Sequence, residues 1–182
     1  MTATTEIPTL ASLPPNPFLD ENGHIADGDV KGKVGAYAVF DDSETLQYIG
    51  YSRDIALSLR QHLVRRPHQC YSFARQTIAR PSRAVLETMR QAWIEENGTT
   101  PPGNGEEESL WVNPIDVKPR LTEEERQEID NAADELAKTK RLKKAARRLE
   151  EEVLAELSAR GVAESLRFNP KLKENGLLDL KK

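Results

Sequence analysis

Cysteine is nearly absent from this 182-residue chain: Cys70 stands alone, which excludes an internal disulfide framework and a thiolate zinc cluster. Histidine is scarce as well, and His62 and His68 stand six apart with no carboxylate partner evident, which argues against a histidine metal site. No apolar run approaches the roughly 20 residues needed to span a bilayer. The opening MTATTEIPTLASLPPNPF lacks a basic region followed by an apolar stretch, so no secretory signal is expected. These absences fit a reducing cytoplasm. Aromatic residues make up only 5%, four of them tyrosines. A net charge of −4 argues against nonspecific capture of nucleic acid by bulk charge. What is present, 37% hydrophobic residues and a mean hydropathy of −0.65, suffices for one modest core with tails.

The chain divides by composition. Residues 1–33 are proline-rich between Ile7 and Phe18 and end in polar turns, which predicts an extended N-terminal segment. Val34–Phe40 and Thr45–Tyr51 are rich in β-branched and aromatic residues around the polar DDSE, the pattern of a β-hairpin. Ile55, Leu59, His62 and Leu63 recur at helical spacing. YSFARQTIA (71–79) alternates as a third strand closed by Pro81. Ser82 is a candidate N-cap for a helix with Val85, Leu86, Met89 and Trp93 on one face, ending near Asn97-Gly98. Residues 34–104 hold eight arginines, no lysine and seven acids, and arginine is the cation best suited to phosphate and carboxylate forks.

After a linker at 105–120, Thr122 and Glu125 form a capping-box signature for a long amphipathic helix over 121–161, closed by Gly161 and followed by a segment at 162–182. Its stripe of Leu142, Ala146, Leu149, Val153 and Leu157 is suited to packing on its own domain or on a partner protein. Beside it KTKRLKKAARR (138–148) reads either as a solvated face with i,i+4 ion pairs or as a phosphate-contacting helix through Lys143, Lys144 and Arg147. Cys70, after RRPHQ, is either a small core residue or a thiol activated by neighbouring cations. The fold class expected is α+β: a small antiparallel three-stranded sheet with flanking helices, then the long charged helix.

Two tyrosines on neighbouring strands, each beside a glycine, carry a further signal. GAY (35–37) and YIG (48–50), with His62 and Asn104 following, resemble the GIY-YIG nuclease domain in order and spacing over residues 34–104. LQYIGYSRDIALSL, AVLETMRQAWIEE and PPGN place the resemblance nearest the branch fused to plant chloroplast monothiol glutaredoxins and its stand-alone cyanobacterial relatives. No glutaredoxin domain is expected within these 182 residues. The resemblance implies a magnesium-dependent endonuclease. Tyr37 and Tyr48 would serve proton transfer, with His62 and Asn104 at the site, an arginine on the phosphate and a glutamate on one Mg2+. The motif glycines would leave room for a phosphate backbone. Against this stands the plainer reading in which both tyrosines pack an edge-exposed hairpin.

The departures are specific. The family's arginine falls at Ser58, Arg60 is about 200° around the helix from it, and Arg53 at the helix start is the better substitute. The metal-binding glutamate falls near Ala92. Glu87 is the candidate in its place, with an ion pair to Arg83 as the plainer reading, and Glu95 and Glu96 read as a solvated helix end. Arg53, Arg60, Arg65 and Arg66 are the candidate phosphate contacts of this domain, with DNA or RNA as partner. Two functions are therefore expected to compete: a weak or degenerate metal-dependent endonuclease, or an inactive scaffold that docks on a protein through helix 122–160.

Overall fold

The computed structural model describes residues 6–182, and these separate into two compact units, one ending at Val112 and the other Asn113–Lys182. In the first, a short 3-10 turn at Leu10–Ser12 leads to strand β1 (Asn16–Pro17). The hairpin strands are β2 (Gly35–Phe40) and β3 (Leu46–Ser52), followed by helix α1 (Ile55–Arg65), strand β4 (Ser72–Thr77), helix α2 (Arg83–Asn97) and the one-turn helix α3 (Glu108–Val112). The strand order is β1-β4-β2-β3, and every pairing is antiparallel.

The class is α+β, but the sheet has four strands where three were expected. The difference lies in the N-terminal segment, which is not merely extended. Pro17 pairs with Ser72, Phe18 N donates to Tyr71 O at 2.9 Å, and Phe18, Ile25 and Val30 are buried. Trp93 Nε1 donates to Pro8 O at 2.9 Å. Glu96, read from sequence as solvated, accepts from the backbone N–H groups of Leu10 and Ala11 at 2.6 and 2.9 Å. Burial of Phe18 and Trp93 gives this segment the apolar area that a proline-rich tail ordinarily lacks.

Strand alternation, with a register shift between Leu46 and Tyr48 that puts these two on opposite faces, sets the two faces of the sheet. Ala36, Ala38, Leu46 and Ile49 pack against Leu86, Met89 and Trp93 of α2. Tyr37 and Tyr48, of opposite parity to Ala36 and Ile49, project from the other face, where Tyr37 meets His62 of α1. Local caps fix the helix starts: Asp54 accepts from Leu57 N and Ser82 from Val85 N, while Gly98 closes α2 in the left-handed region at φ 80°.

The second unit contains a short strand β5 (Ile115–Asp116), helices α4 (Glu123–Asp130), α5 (Glu135–Ala159) and α6 (Pro170–Lys173), and strand β6 (Leu177–Leu178) paired with β5. The single helix expected over 121–161 is two. The Thr122/Glu125 capping box is formed, but Asp134 starts a second helix by accepting from Ala137 N at 2.7 Å. A second N-cap so close behind the first interrupts the run. Ala146, Leu149, Val153 and Leu157 are buried, so most of the apolar stripe is covered within the described chain and is not open to a partner. Of the cations beside it, Lys143 pairs with Glu174 at 3.7 Å and Lys144 with Glu128 at 3.9 Å, and Arg147 is exposed. Among the described residues no helix is long and apolar enough to cross a membrane.

Candidate functional site

The hairpin register places Tyr37 opposite Gly50 and Tyr48 opposite Val39, so both tyrosine rings lie on the α1 face, their centroids 6.1 Å apart. Tyr37 Oη and His62 Nε2 are 2.8 Å apart, and the Tyr48 ring lies 4.8 Å from the imidazole. Three residues that the sequence singled out are thus brought together. A fourth member was missed. Trp111 of α3 stacks on Tyr48 with centroids 5.1 Å apart and planes within 8°, and it reaches His62 at 5.3 Å. Trp111 is fully buried, as is nearly all of Tyr37 and His62. The only sequence signal for it was an indole in a segment read as linker, since indoles seldom stay in solvent.

Burial sets the protonation states. It pushes the Tyr37 hydroxyl well above the usual phenol range, reinforced by the neighbouring Tyr48 and opposed by a hydrogen bond to Ser58. Tyr48 is raised, again chiefly by burial. Burial, then the Arg65 charge, lowers His62 to about 3, against a hydrogen-bonding contribution from the Trp111 backbone. The His62 Nδ1 itself has no well-formed hydrogen bond. At neutral pH the cluster is a neutral imidazole beside two neutral phenols. Such a set accepts a proton poorly until water reaches it.

The remaining candidates are dispersed. Asn104 Oδ1 accepts from Ile49 N at 2.8 Å and its Nδ2 donates to Ile49 O at 2.7 Å, so it fastens the Pro102–Asn104 turn to β3 and spends its amide on backbone. Ser58 is the exception: its Oγ donates to Ser52 Oγ at 2.8 Å and it hydrogen-bonds with the Tyr37 hydroxyl, so the residue at the arginine position borders the cluster without bringing a charge. Arg53 is exposed beside the Asp54 cap. Arg60 pairs with Asp27 at 2.7 Å and Arg66 with Glu107 at 2.7 Å. Arg65 Nη1 donates to the Trp111 carbonyl at 2.6 Å. Glu87 accepts from Tyr51 Oη at 2.6 Å and pairs with Arg90, not Arg83, at 2.9 Å. Tyr51 packs with the α2-side core, so Glu87 stands across the sheet from Tyr37 rather than beside it. The Tyr51 hydrogen bond, first, and Arg90 hold its carboxyl below the usual range. Among the described residues no three His, Cys, Asp or Glu side chains converge to hold a metal ion. Cys70 is buried.

The motif glycines serve close packing and leave no room for a phosphate. A Cβ on Gly50 would stand 2.6 Å from the Tyr48 ring and 2.9 Å from each tyrosine hydroxyl; the two phenols fill that space. A Cβ on Gly35 would stand 2.3 Å from Gln76 O and 2.8 Å from Thr77 Cα, both backbone atoms of β4 that cannot swing aside. Gly35→Ala should therefore force β2 from β4 and cost about 3 kcal/mol. That loss would lower the melting temperature by about 10 °C or more. An unchanged midpoint by thermal denaturation would show that the strands separate freely.

No protein-family model matches the chain. Over 74 residues it is 43% identical to the bifunctional monothiol glutaredoxin-S16, chloroplastic, of Arabidopsis thaliana, a stretch covering 38% of this chain and 25% of that protein. The matched stretch is thus about a quarter of the length of that curated relative, and the chain is a partial homologue of it.

Proposed function

We propose that residues 34–112 form a GIY-YIG-type domain that engages DNA or RNA and whose capacity for phosphodiester hydrolysis is weak or degenerate. The observation that carries this reading is the 2.8 Å contact of Tyr37 with His62, beside Tyr48 on one sheet face. Chemically, a tyrosine hydroxyl against a neutral imidazole can pass a proton from an attacking water toward the ring nitrogen. His62 gains proton affinity only when the cluster is opened to solvent, so the closed arrangement holds the relay idle. The Mg2+ that the resemblance implies has no ready cage among the described residues, since Glu87 is committed to Tyr51 and Arg90. The test is nicking of supercoiled plasmid by the full chain, with and without magnesium. Slow or absent nicking is expected from wild type, with plasmid binding that weakens as salt rises. No binding even at low salt would overturn the reading.

A second reading, a catalytically silent scaffold for a protein partner, is favoured by one observation: the fully buried Trp111 stacks on the ring of Tyr48. The acidic excess of residues 1–112, fifteen Asp and Glu against ten Lys and Arg, points the same way. Docking through helix 122–160 would then use the solvent face of α5, where Leu136 and Leu154 are 66% and 38% exposed, and not the buried stripe.

A further inference from the structure

The charge of Arg65 acts on Tyr37, Tyr48 and His62 alike. It follows Ser58 and His62 at i, i+4 and i+7, so all three share one face of α1. Its guanidinium is not turned to bulk water. Nη1 donates at 2.6 Å to the backbone carbonyl of Trp111, and a neutral carbonyl is a weaker partner for a guanidinium than an anionic phosphoryl oxygen.

The segment that supplies that carbonyl is acidic and, apart from the buried Trp111, largely exposed. Glu106, Glu107 and Glu108 stand in sequence before Trp111. Glu107 pairs with Arg66, next to Arg65, through a carboxylate side chain 38% exposed, and such pairs are readily exchanged for another anion. Helix α3 is five residues long, too short to persist on its own. Trp111 Nε1 is buried with no hydrogen-bond partner, an unmade bond of about 1–3 kcal/mol that release of the indole would recover. One carboxylate of this acidic turn, Glu107, thus lies against Arg66, and the Trp111 carbonyl lies against the adjacent Arg65.

We propose that residues 106–112 are a built-in mimic of a polyanion, and that a nucleic-acid phosphate displaces them to bind Arg65 beside Tyr37, Tyr48 and His62. This rests on the nucleic-acid reading above and adds to it the contact residue and the segment that competes for it. In the closed protein Glu107 pairs with Arg66 and the Trp111 carbonyl accepts from Arg65. When a phosphodiester arrives the glutamates are repelled, α3 lifts, and the stacked face of Tyr48 is uncovered.

The experiment measures binding of a short fluorescein-labelled DNA duplex to the full chain by anisotropy across a salt series. Trp111→Ala should tighten binding by about tenfold or more, the worth of one charge-assisted hydrogen bond to phosphate. Adding Arg65→Gln should return the affinity to that of wild type and lower the salt slope by about one. Glu107→Gln loosens the same segment without touching the core and should tighten binding more than Glu106→Gln, which makes the same change of charge; this comparison holds even if Trp111→Ala fails to fold. Tight binding by Trp111→Ala that Arg65→Gln leaves unaltered would overturn the Arg65 assignment while the nucleic-acid reading stands. Equal affinities for the two glutamate variants would overturn the mimic. Absence of DNA binding in every variant would overturn the nucleic-acid reading itself.

Discussion

Tyr37→Phe should abolish any plasmid nicking by the wild-type protein, and any enhanced nicking by Trp111→Ala, while leaving the fold in place. The substitution removes one oxygen, the atom 2.8 Å from His62 Nε2, and keeps the ring that packs beside Tyr48. Proton-transferring groups contribute about 100- to 10,000-fold, so the loss would stand well clear of background. The buried imidazole would lose its hydrogen bond at a cost of about 1–3 kcal/mol, which a melting curve run alongside would register as a modest shift. A Tyr37→Phe protein that cleaves as fast as its parent would remove the hydroxyl from the chemistry.

Acidification should destabilise the first unit through His62 well before its carboxylates titrate. The folded-state value of about 3 lies below the ordinary 6.5, so between those limits the unfolded chain binds a proton that the folded one refuses. Stability attributable to His62 is therefore intact above pH 6.5 and is lost as the pH falls toward 3, at up to about 1.4 kcal/mol per unit. From pH 6.5 to 4.5 the loss amounts to about 2 kcal/mol, or about 10 °C in melting temperature for a unit of this size. His62→Gln, which keeps an acceptor for Tyr37, should flatten that slope, and the exposed His68→Gln serves as control. A slope that survives His62→Gln would place the titrating group elsewhere.

The parts of the fold that the sequence revealed are those decided within a few residues. Asp41 Oδ1 accepts from the backbone of Ser43 and Thr45 at 2.9 Å each, which turns the hairpin where DDSE predicts a turn. Ser82 and Thr122 cap the helices they precede. The Tyr37, Tyr48 and His62 cluster was legible because strand parity and helical period are both local rules. What escaped depends on partners far along the chain. Leu10 meets Glu96 across 86 positions, and no local pattern in a proline-rich segment announces a fourth strand. Trp111 escaped for the same reason: its seat is made by Tyr48 and His62, and nothing within its own turn reveals them. The position of Glu87 across the sheet from Tyr37 was not legible, because helical counting gives its neighbours on α2 but not which face of the sheet α2 covers.

The two outer margins of the sheet also decide how this molecule can meet others. On one side the last strand is two residues long and contains Pro17, which has no N–H to offer a further strand. On the other, the middle of β3 has its outward N–H and C=O at Ile49 taken by the Asn104 amide, which copies the hydrogen bonds of a neighbouring chain. Sheets grow into fibrils and strand-swapped dimers through such margins when they are left bare. Here one residue type that cannot pair and one side chain that pairs in place of a chain shut both. Association by strand addition at these two positions of the four-stranded sheet is thereby disfavoured.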